Sequence, residues 1–319
     1  MNSPFHFPSL VWDHTIAVYL FLLGISAGAV MLAVLLKRSG IVERPEQDNV
    51  IKVSALLAPI TIIVGLVILI FHLTKPWTFW YLMFNYSHTS IMSMGVMLFQ
   101  VYMLFLILWL AIIFKELVLT WVKKYIPALT ALTEKIINAA AKFTNAIEII
   151  NLILCVSLGA YTGFLLSALI SYPMLNNPVL PILFLASGTS SGIAALIVCA
   201  LLFTKESTHS KSLAFLHKFE TPVVCIEIFL LAAFFIGLYL GGGQKTVAFE
   251  TALLGGFWAN VFWIGVVGIG LIAPLVLNAI ACGGTKHKKG FMVLVACLGL
   301  IGVLCLRFFI LYAGQMTLA

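Results

Sequence analysis

The sequence predicts an all-α integral membrane protein: eight transmembrane helices in two four-helix bundles, with both termini periplasmic. Three observations predict it. Of 319 residues, 62% are hydrophobic and 9% charged, whereas soluble domains carry roughly 25% charged residues. The apolar residues form eight continuous runs, each long enough to cross about 30 Å of hydrocarbon as a helix. The cations are sorted between alternate connections. A soluble enzyme, a coiled coil and a disordered protein are excluded by the same composition.

Span 1 is expected over 15–36, behind Trp12-Asp13-His14, and carries Gly24-Ile25-Ser26-Ala27-Gly28. It lacks a basic leader, and its run is too long for a cleavable signal, so it is expected to stay in the membrane. Span 2 covers 54–73 and is opened by Pro59. Span 3 covers 90–114. The long loop 115–146 follows, with Trp121, Tyr125, Leu129, Leu132 and Ile136 giving it an amphipathic look. It is expected as a surface helix pair broken at Pro127. Span 4 is 147–169. Span 5, 179–203, carries Gly188-Thr189-Ser190-Ser191-Gly192. Span 6, 222–242, is opened by Pro222, span 7 is 253–277, and span 8 is 291–313. Continuous runs, unlike alternating ones, argue against a barrel.

The sequence divides into 1–146, with spans 1–3 and the long loop, and 147–319, with spans 4–8, in one membrane domain. The glycine motifs of spans 1 and 5 are 164 residues apart, and Pro59 and Pro222 are 163 apart. These offsets suggest parallel repeat halves, roughly 1–178 and 179–319. Small residues four apart also let helices approach closely, whether or not a repeat exists.

Fifteen cations lie after spans 1, 3, 5 and 7, and only Lys75 and Lys245 on the other side. The positive-inside rule puts the first group in the cytoplasm and both termini outside. The net charge of +7 then reflects cytoplasmic loops and lipid contact, not nucleic-acid binding.

The six cysteines form no CxxC or CxxCH set, so no iron–sulfur cluster, covalent haem or other metal site is expected in this protein. A b-haem would need facing histidines, and only His72 and His88 come near that arrangement.

Ionisable groups at membrane depth are costly and mark function. His72, Glu148, Glu227 and Arg307 are within spans, with Asp13 and His14 at the outer edge. Arg307 is expected to snorkel outward, with Asp13 as a candidate partner. Glu148 is expected to be solvated at the interface. Glu227 and Arg307 are candidates for a proton path.

On the outer side, aromatic and polar residues converge: Asp13, His14 and Tyr19, then His72 with Trp77 and Trp80, then Tyr161. Part of this is an aromatic belt. Two histidines and an aspartate among the rings need more explanation. A lipid-soluble quinol needs aromatic walls, a hydrogen-bond partner and a base for its protons. Histidine titrates in the useful range.

Four blocks carry a resemblance: WDHTIAVYLFLLGISAG (12–28), FHLTKPWTFWYLMFNYSHTSIMSMGVMLFQ (71–100), LGAYTGFLLSALISYPMLNNPVLPILFLASGTSSG (158–192) and RFFILYAGQ (307–315). Across nearly its whole length the sequence resembles the NrfD/polysulfide reductase family of membrane subunits, and within it the nitrite-reductase branch. The resemblance implies a quinol-oxidising anchor of eight spans in two bundles, without haem or cluster of its own. It implies a periplasmic, four-cluster, ferredoxin-like iron–sulfur partner. Electrons from menaquinol would pass through that partner to a multihaem c-type cytochrome nitrite reductase. By position the family's quinone pocket carries onto Tyr19, His72 and Tyr161. The polysulfide reductase branch offers an asparagine and a histidine on span 1, where this sequence has Ile16 and Tyr19. Asp13, His14 and Tyr19 therefore remain alternatives for the span 1 ligand.

The leading expectation assigns His72, Tyr161, Asp13 and His14 to quinol chemistry and Tyr19, Trp77 and Trp80 to its walls. The alternatives are a subunit of a polysulfide, thiosulfate or tetrathionate reductase, a non-redox transporter, and a purely structural anchor.

Overall fold

The computed structural model describes residues 4–318 apart from 74, 88, 205 and 282. Among the described residues, eight helices are long and apolar enough to cross a membrane: span 1, His14–Arg38; span 2, Asn49–His72; span 3, Ile91–Ile113; span 4, Thr144–Ser167; span 5, Leu180–Phe203; span 6, Lys211–Leu240; span 7, Phe257–Ile280; span 8, Lys289–Gln315. Spans 1 and 5 are the most enclosed.

Spans 1 and 5 lie at the centre because their crossing faces have almost no side chain. An added Cβ at Gly28 would overlap the Gly188 carbonyl oxygen, and one at Gly192 would overlap the Gly28 carbonyl carbon. Backbones approach this closely only where both helices present small residues. Residues 164 apart therefore touch: Gly24 meets Gly188, and Gly28 meets Gly192. At the cation-rich end Ser212 donates to the Asp48 carboxylate, at the same separation. Span 1 also packs on spans 2, 4 and 8, span 5 on spans 4, 6 and 8, span 3 on span 4, and span 7 on span 8.

Helix starts follow from the residues before them. Asp13 accepts from Thr15 N at 2.9 Å, Asp48 accepts from Val50 N and Ile51 N, and Ser210 caps span 6 by accepting from Leu213 N. Each satisfies an amide that the helix leaves free. Inside the bundle, serines join span 1 to span 2. Ser26 Oγ donates to the Ala58 carbonyl at 3.0 Å, and Ser54 Oγ to the Ala29 carbonyl at 3.0 Å. Span 2 turns Leu56, Ile60, Ile63, Val64 and Val67 outward, the pattern of a helix with lipid on one side and partners on the other.

Three expectations need correction. Pro59 and Pro222 do not open spans 2 and 6 but lie inside them, because a packed membrane helix tolerates the lost amide. Span 7 begins at Phe257 rather than at 253, because Leu253 is the last residue of a separate helix, Gln244–Leu253. Gly256 at φ 93° then turns the backbone into the span. Span 7 itself is not a regular α-helix. Over Val261–Ile272 it is wound with i→i+5 bonds, with Gly265, Gly268 and Gly270 sparing the wide turns side-chain crowding. The long loop is as expected: helices Lys115–Tyr125 and Thr130–Lys142, interrupted at Pro127, with Leu117, Trp121, Leu129, Leu132 and Ile136 exposed.

The crossing predicts a mutational contrast. Gly28→Val should lower the midpoint of thermal unfolding in detergent, through an overpacking cost of about 1–3 kcal/mol or more. Gly237→Val, where an added Cβ meets nothing within 4 Å, should leave it nearly unchanged. Equal midpoints for the two variants would contradict the close crossing.

Candidate functional site

At the end of the bundle that carries both termini, spans 1 and 2 meet through three polar side chains. Asp13, the cap of span 1, accepts from the Thr15 hydroxyl as well as from its amide. The Thr15 oxygen lies 3.1 Å from His72 Nδ1 at the last residue of span 2, and Asp13 Oδ1 lies 3.7 Å from the same nitrogen. A threonine hydroxyl has one proton. Given to Asp13, it leaves the Thr15 oxygen to accept from His72 Nδ1–H. The lone pair of a neutral His72 is then on Nε2, free to take a proton. Partial burial pushes the Asp13 carboxyl up. The two bonds from Thr15 and the nearby His72 and His14 outweigh it and hold the group below its usual value. Asp13 is therefore a carboxylate at neutral pH.

One helical turn inward from Thr15, on the same face of span 1, Tyr19 is fully buried. Its ring lies 6.2 Å from Phe99 of span 3, and Phe99 stands edge-on to Tyr161 of span 4 at 5.8 Å. Two glycines make room for the rings. Gly65 of span 2 lies beside Tyr19, where a Cβ would stand 3.4 Å from the ring. Gly95 of span 3 lies against the Tyr161 hydroxyl, where a Cβ would overlap the oxygen. Spans 1 to 4 thus each contribute to one aromatic cluster, directly below the Asp13–Thr15–His72 group.

The structure brings together Asp13 and His72, and separately Tyr19 and Tyr161. His14 is exposed at the start of span 1. Trp77 and Trp80 are 88% and 56% exposed, and among the described residues no ring contact joins them to the tyrosines. Trp80 stands edge-on to Tyr81 instead. The His72–His88 haem pair lies outside the described residues at His88. Thr15, Phe99, Gly65 and Gly95 were not anticipated. Thr15 had a legible signal, its place two residues after a capping aspartate; the others are ordinary apolar positions in a membrane helix. The surface segment after span 2 is tied down by Gln100, whose Nε2 donates to the Met83 carbonyl at 3.0 Å and whose carboxamide oxygen accepts from Tyr86.

Arg307 does not pair with Asp13 and does not snorkel. It is fully buried about 12 Å from the end of span 8, at 1.5 Å per residue. Nη2 donates to the Phe184 carbonyl of span 5 at 3.2 Å, and the guanidinium lies 3.8 Å over the Phe184 ring. Together, a carbonyl and a π-face hold it inward. Its Nε and Nη1 have no partner among the described residues, nor does Glu227 Oε2. Glu227 and Ser190 line a cavity with room for about one water molecule. Glu148 is not solvated either. It is buried and forms an ion pair with Lys37 of span 1 at 2.5 Å. A buried carboxylate left without its cation would be strongly destabilising.

A further clamp closes the outer end. Gln315 Oε1 accepts from Val11 N and Trp12 N at 2.9 Å each, and its Nε2 donates to the carbonyls of Trp12 and Leu311 at 2.9 Å. The end of span 8 thereby fixes the segment that leads into Asp13.

Comparison with known proteins agrees with this architecture. The family model described as "Polysulphide reductase, NrfD" matches residues 2–319. "Protein NrfD homolog" of Haemophilus influenzae is 55% identical, over 99% of this sequence and 98% of that protein. "Protein NrfD" of Escherichia coli is 51% identical, over 100% and 99%. The C chain of polysulfide reductase from Wolinella succinogenes is 44% identical, over 96% and 95%. Matched end to end by the family model and by relatives of its own length, the protein belongs to the NrfD family of multi-pass membrane subunits.

Proposed function

We propose that the protein is a quinol-oxidising membrane subunit, with the quinol head group taken up between the Asp13–Thr15–His72 group and the Tyr19–Phe99–Tyr161 cluster. The observation that carries this reading is their juxtaposition on one face of span 1: a free imidazole nitrogen at the membrane edge, one turn above buried phenols. A quinol loses two electrons and two protons on oxidation. The Tyr161 hydroxyl positions one quinol oxygen by a hydrogen bond. His72 Nε2 takes a proton from the quinol hydroxyl, and the Asp13 carboxylate, acting through Thr15, stabilises the imidazolium. His72 passes this proton to water on the outer side and then takes the second in the same way, so both protons leave there and this step needs no path across the bilayer. His14 is the alternative acceptor. Exposed Trp77 and Trp80 belong to the rim, where a partner or the interface covers them.

The electrons leave to a periplasmic, four-cluster, ferredoxin-like iron–sulfur subunit and from there to a multihaem c-type cytochrome nitrite reductase. Menaquinol is the proposed donor, in anaerobic respiration at the inner membrane. The NrfD and polysulfide reductase relatives support a reductase complex; the acceptor assignment follows the higher identity. Fifteen cations on alternate connections support periplasmic termini. Contacts between residues 164 apart support two related four-helix halves around a pseudo-two-fold axis, as an isologous contact requires.

Titration of a quinol-analogue inhibitor into the protein in nanodiscs, followed by tryptophan quenching, tests the site. Loss of one hydrogen bond should weaken binding up to about tenfold in Tyr161→Phe and in His72→Ala. Gly95→Ala should weaken it as well, since the new methyl displaces the Tyr161 hydroxyl while the fold survives. Wild-type affinity in all three variants would remove the site from these residues.

We further assign Glu227 and Arg307 to a proton path in the second half of the protein, supported by the unpartnered carboxylate oxygen beside a water-sized cavity. In vesicles holding the complete complex, Glu227→Gln should reduce protons moved per quinol while leaving quinol oxidation near wild type. An unchanged ratio would make both residues structural.

A further inference from the structure

On the cation-rich face, opposite the site above, the ends of spans 6, 7 and 8 enclose a cavity of about 440 Å³. That is within the range of small-ligand sites, about 300–1,000 Å³. Its polar lining is dominated by donors. Lys286 contributes an ammonium group. His209, from the connection before span 6, and His287, from the connection before span 8, contribute imidazoles. These two rings lie 4.5 Å apart at 35°, although 78 residues separate them in sequence. The lining carboxylate, Glu220, is already bound, 2.8 Å from His217 Nδ1. Two adjoining, tilted imidazoles and an ammonium group on one wall, with the nearby carboxylate occupied, make a cup suited to an anion. Among the described residues no three His, Cys, Asp or Glu side chains are grouped as a metal site, so a cation is the poorer occupant.

Position decides the class of anion. The apolar part of the wall is Ala214 of span 6 with Phe291, Met292 and Val295 at the start of span 8; Thr208, Thr221 and Asn278 add uncharged polar groups beside it. An occupant with its charge at Lys286 therefore lays the remainder of its body along apolar side chains where the membrane begins. A soluble phosphate would use only half of this lining. Basic pockets between membrane helices on the cytoplasmic side suit anionic lipid head groups.

We infer that this cavity binds a phosphate group, and that the phosphate is the head group of an anionic phospholipid. Lys286, His209 and His287 hold the phosphate oxygens, and the first acyl carbons lie along Phe291 and Met292. The lipid thereby bridges the starts of spans 6 and 8 and the end of span 7, which no ion pair joins among the described residues.

Native mass spectrometry of the detergent-purified protein, titrated with phosphatidylglycerol or phosphatidylcholine, tests the inference. Wild type should retain one phosphatidylglycerol in preference to phosphatidylcholine. Lys286→Ala should weaken that retention about fivefold, the double variant His209→Gln/His287→Gln should weaken it similarly, and Lys286→Arg should restore it. Lys123→Ala, on the same face but outside the cavity, should have no effect; it also controls for general loss of charge. Circular dichroism checks that each variant is folded. Equal retention of both lipids, or Lys286→Ala binding like wild type, would overturn the inference. Displacement of the lipid by millimolar inorganic phosphate would overturn the lipid assignment in favour of a soluble phosphate.

Discussion

Where spans 1 and 5 cross, two helix backbones touch with no side chain between them. Gly24 and Gly28 face Gly188 and Gly192, and a single Cβ at Gly28 or Gly192 would stand inside van der Waals distance of the opposite main chain. Membrane helices gain nothing from burying apolar groups against each other rather than against lipid, so close packing and interhelical hydrogen bonds must hold them. The crossing provides the packing. It places span 1 centrally, where its other faces receive spans 2, 4 and 8. Both polar centres depend on that placement: the outer face of span 1 presents Asp13, Thr15 and Tyr19, and Arg307 lies close against Gly24.

The charges within the protein are compensated locally and by unlike means. Glu148 has a lysine at 2.5 Å. Arg307 has one carbonyl and one aromatic face, and two of its nitrogens lack partners among the described residues. A group buried at such cost is kept for fold specificity or for chemistry. At the outer end the compensation is looser. Asp13 and His72 are each about a third exposed, joined through a threonine hydroxyl. The Gln315 clamp on the Val11 and Trp12 main chain fixes the segment that leads into this group.

The fold was largely legible because membrane constraints are coarse. Span number follows from apolar run length, and the sorting of cations follows from counting. The paired glycine motifs were visible, and the structure shows that the two copies meet each other. Pro59 misled because proline reads as a helix start in water, whereas neighbouring spans support it within a membrane helix. The winding of span 7 goes with how closely Gly265 and Gly270 meet Cys305 and Gly302 of span 8, which composition does not encode. At the site, Tyr19, His72 and Tyr161 stood out as polar groups among apolar ones. Phe99, Gly65 and Gly95 did not, because their role is shape. The partners of Arg307 and Glu148 were missed for a tertiary reason: a carbonyl on span 5 and a lysine on span 1 become available only once the helices pack.

The most direct test of the proposed quinol site is photolabelling with an azido-quinone in membranes holding the complete complex, followed by peptide mapping. The predicted result is labels on the outer parts of spans 1, 3 and 4, around Tyr19, Phe99 and Tyr161, suppressed by excess unlabelled quinol. Labels confined to spans 6, 7 and 8, or to a partner subunit alone, would contradict it.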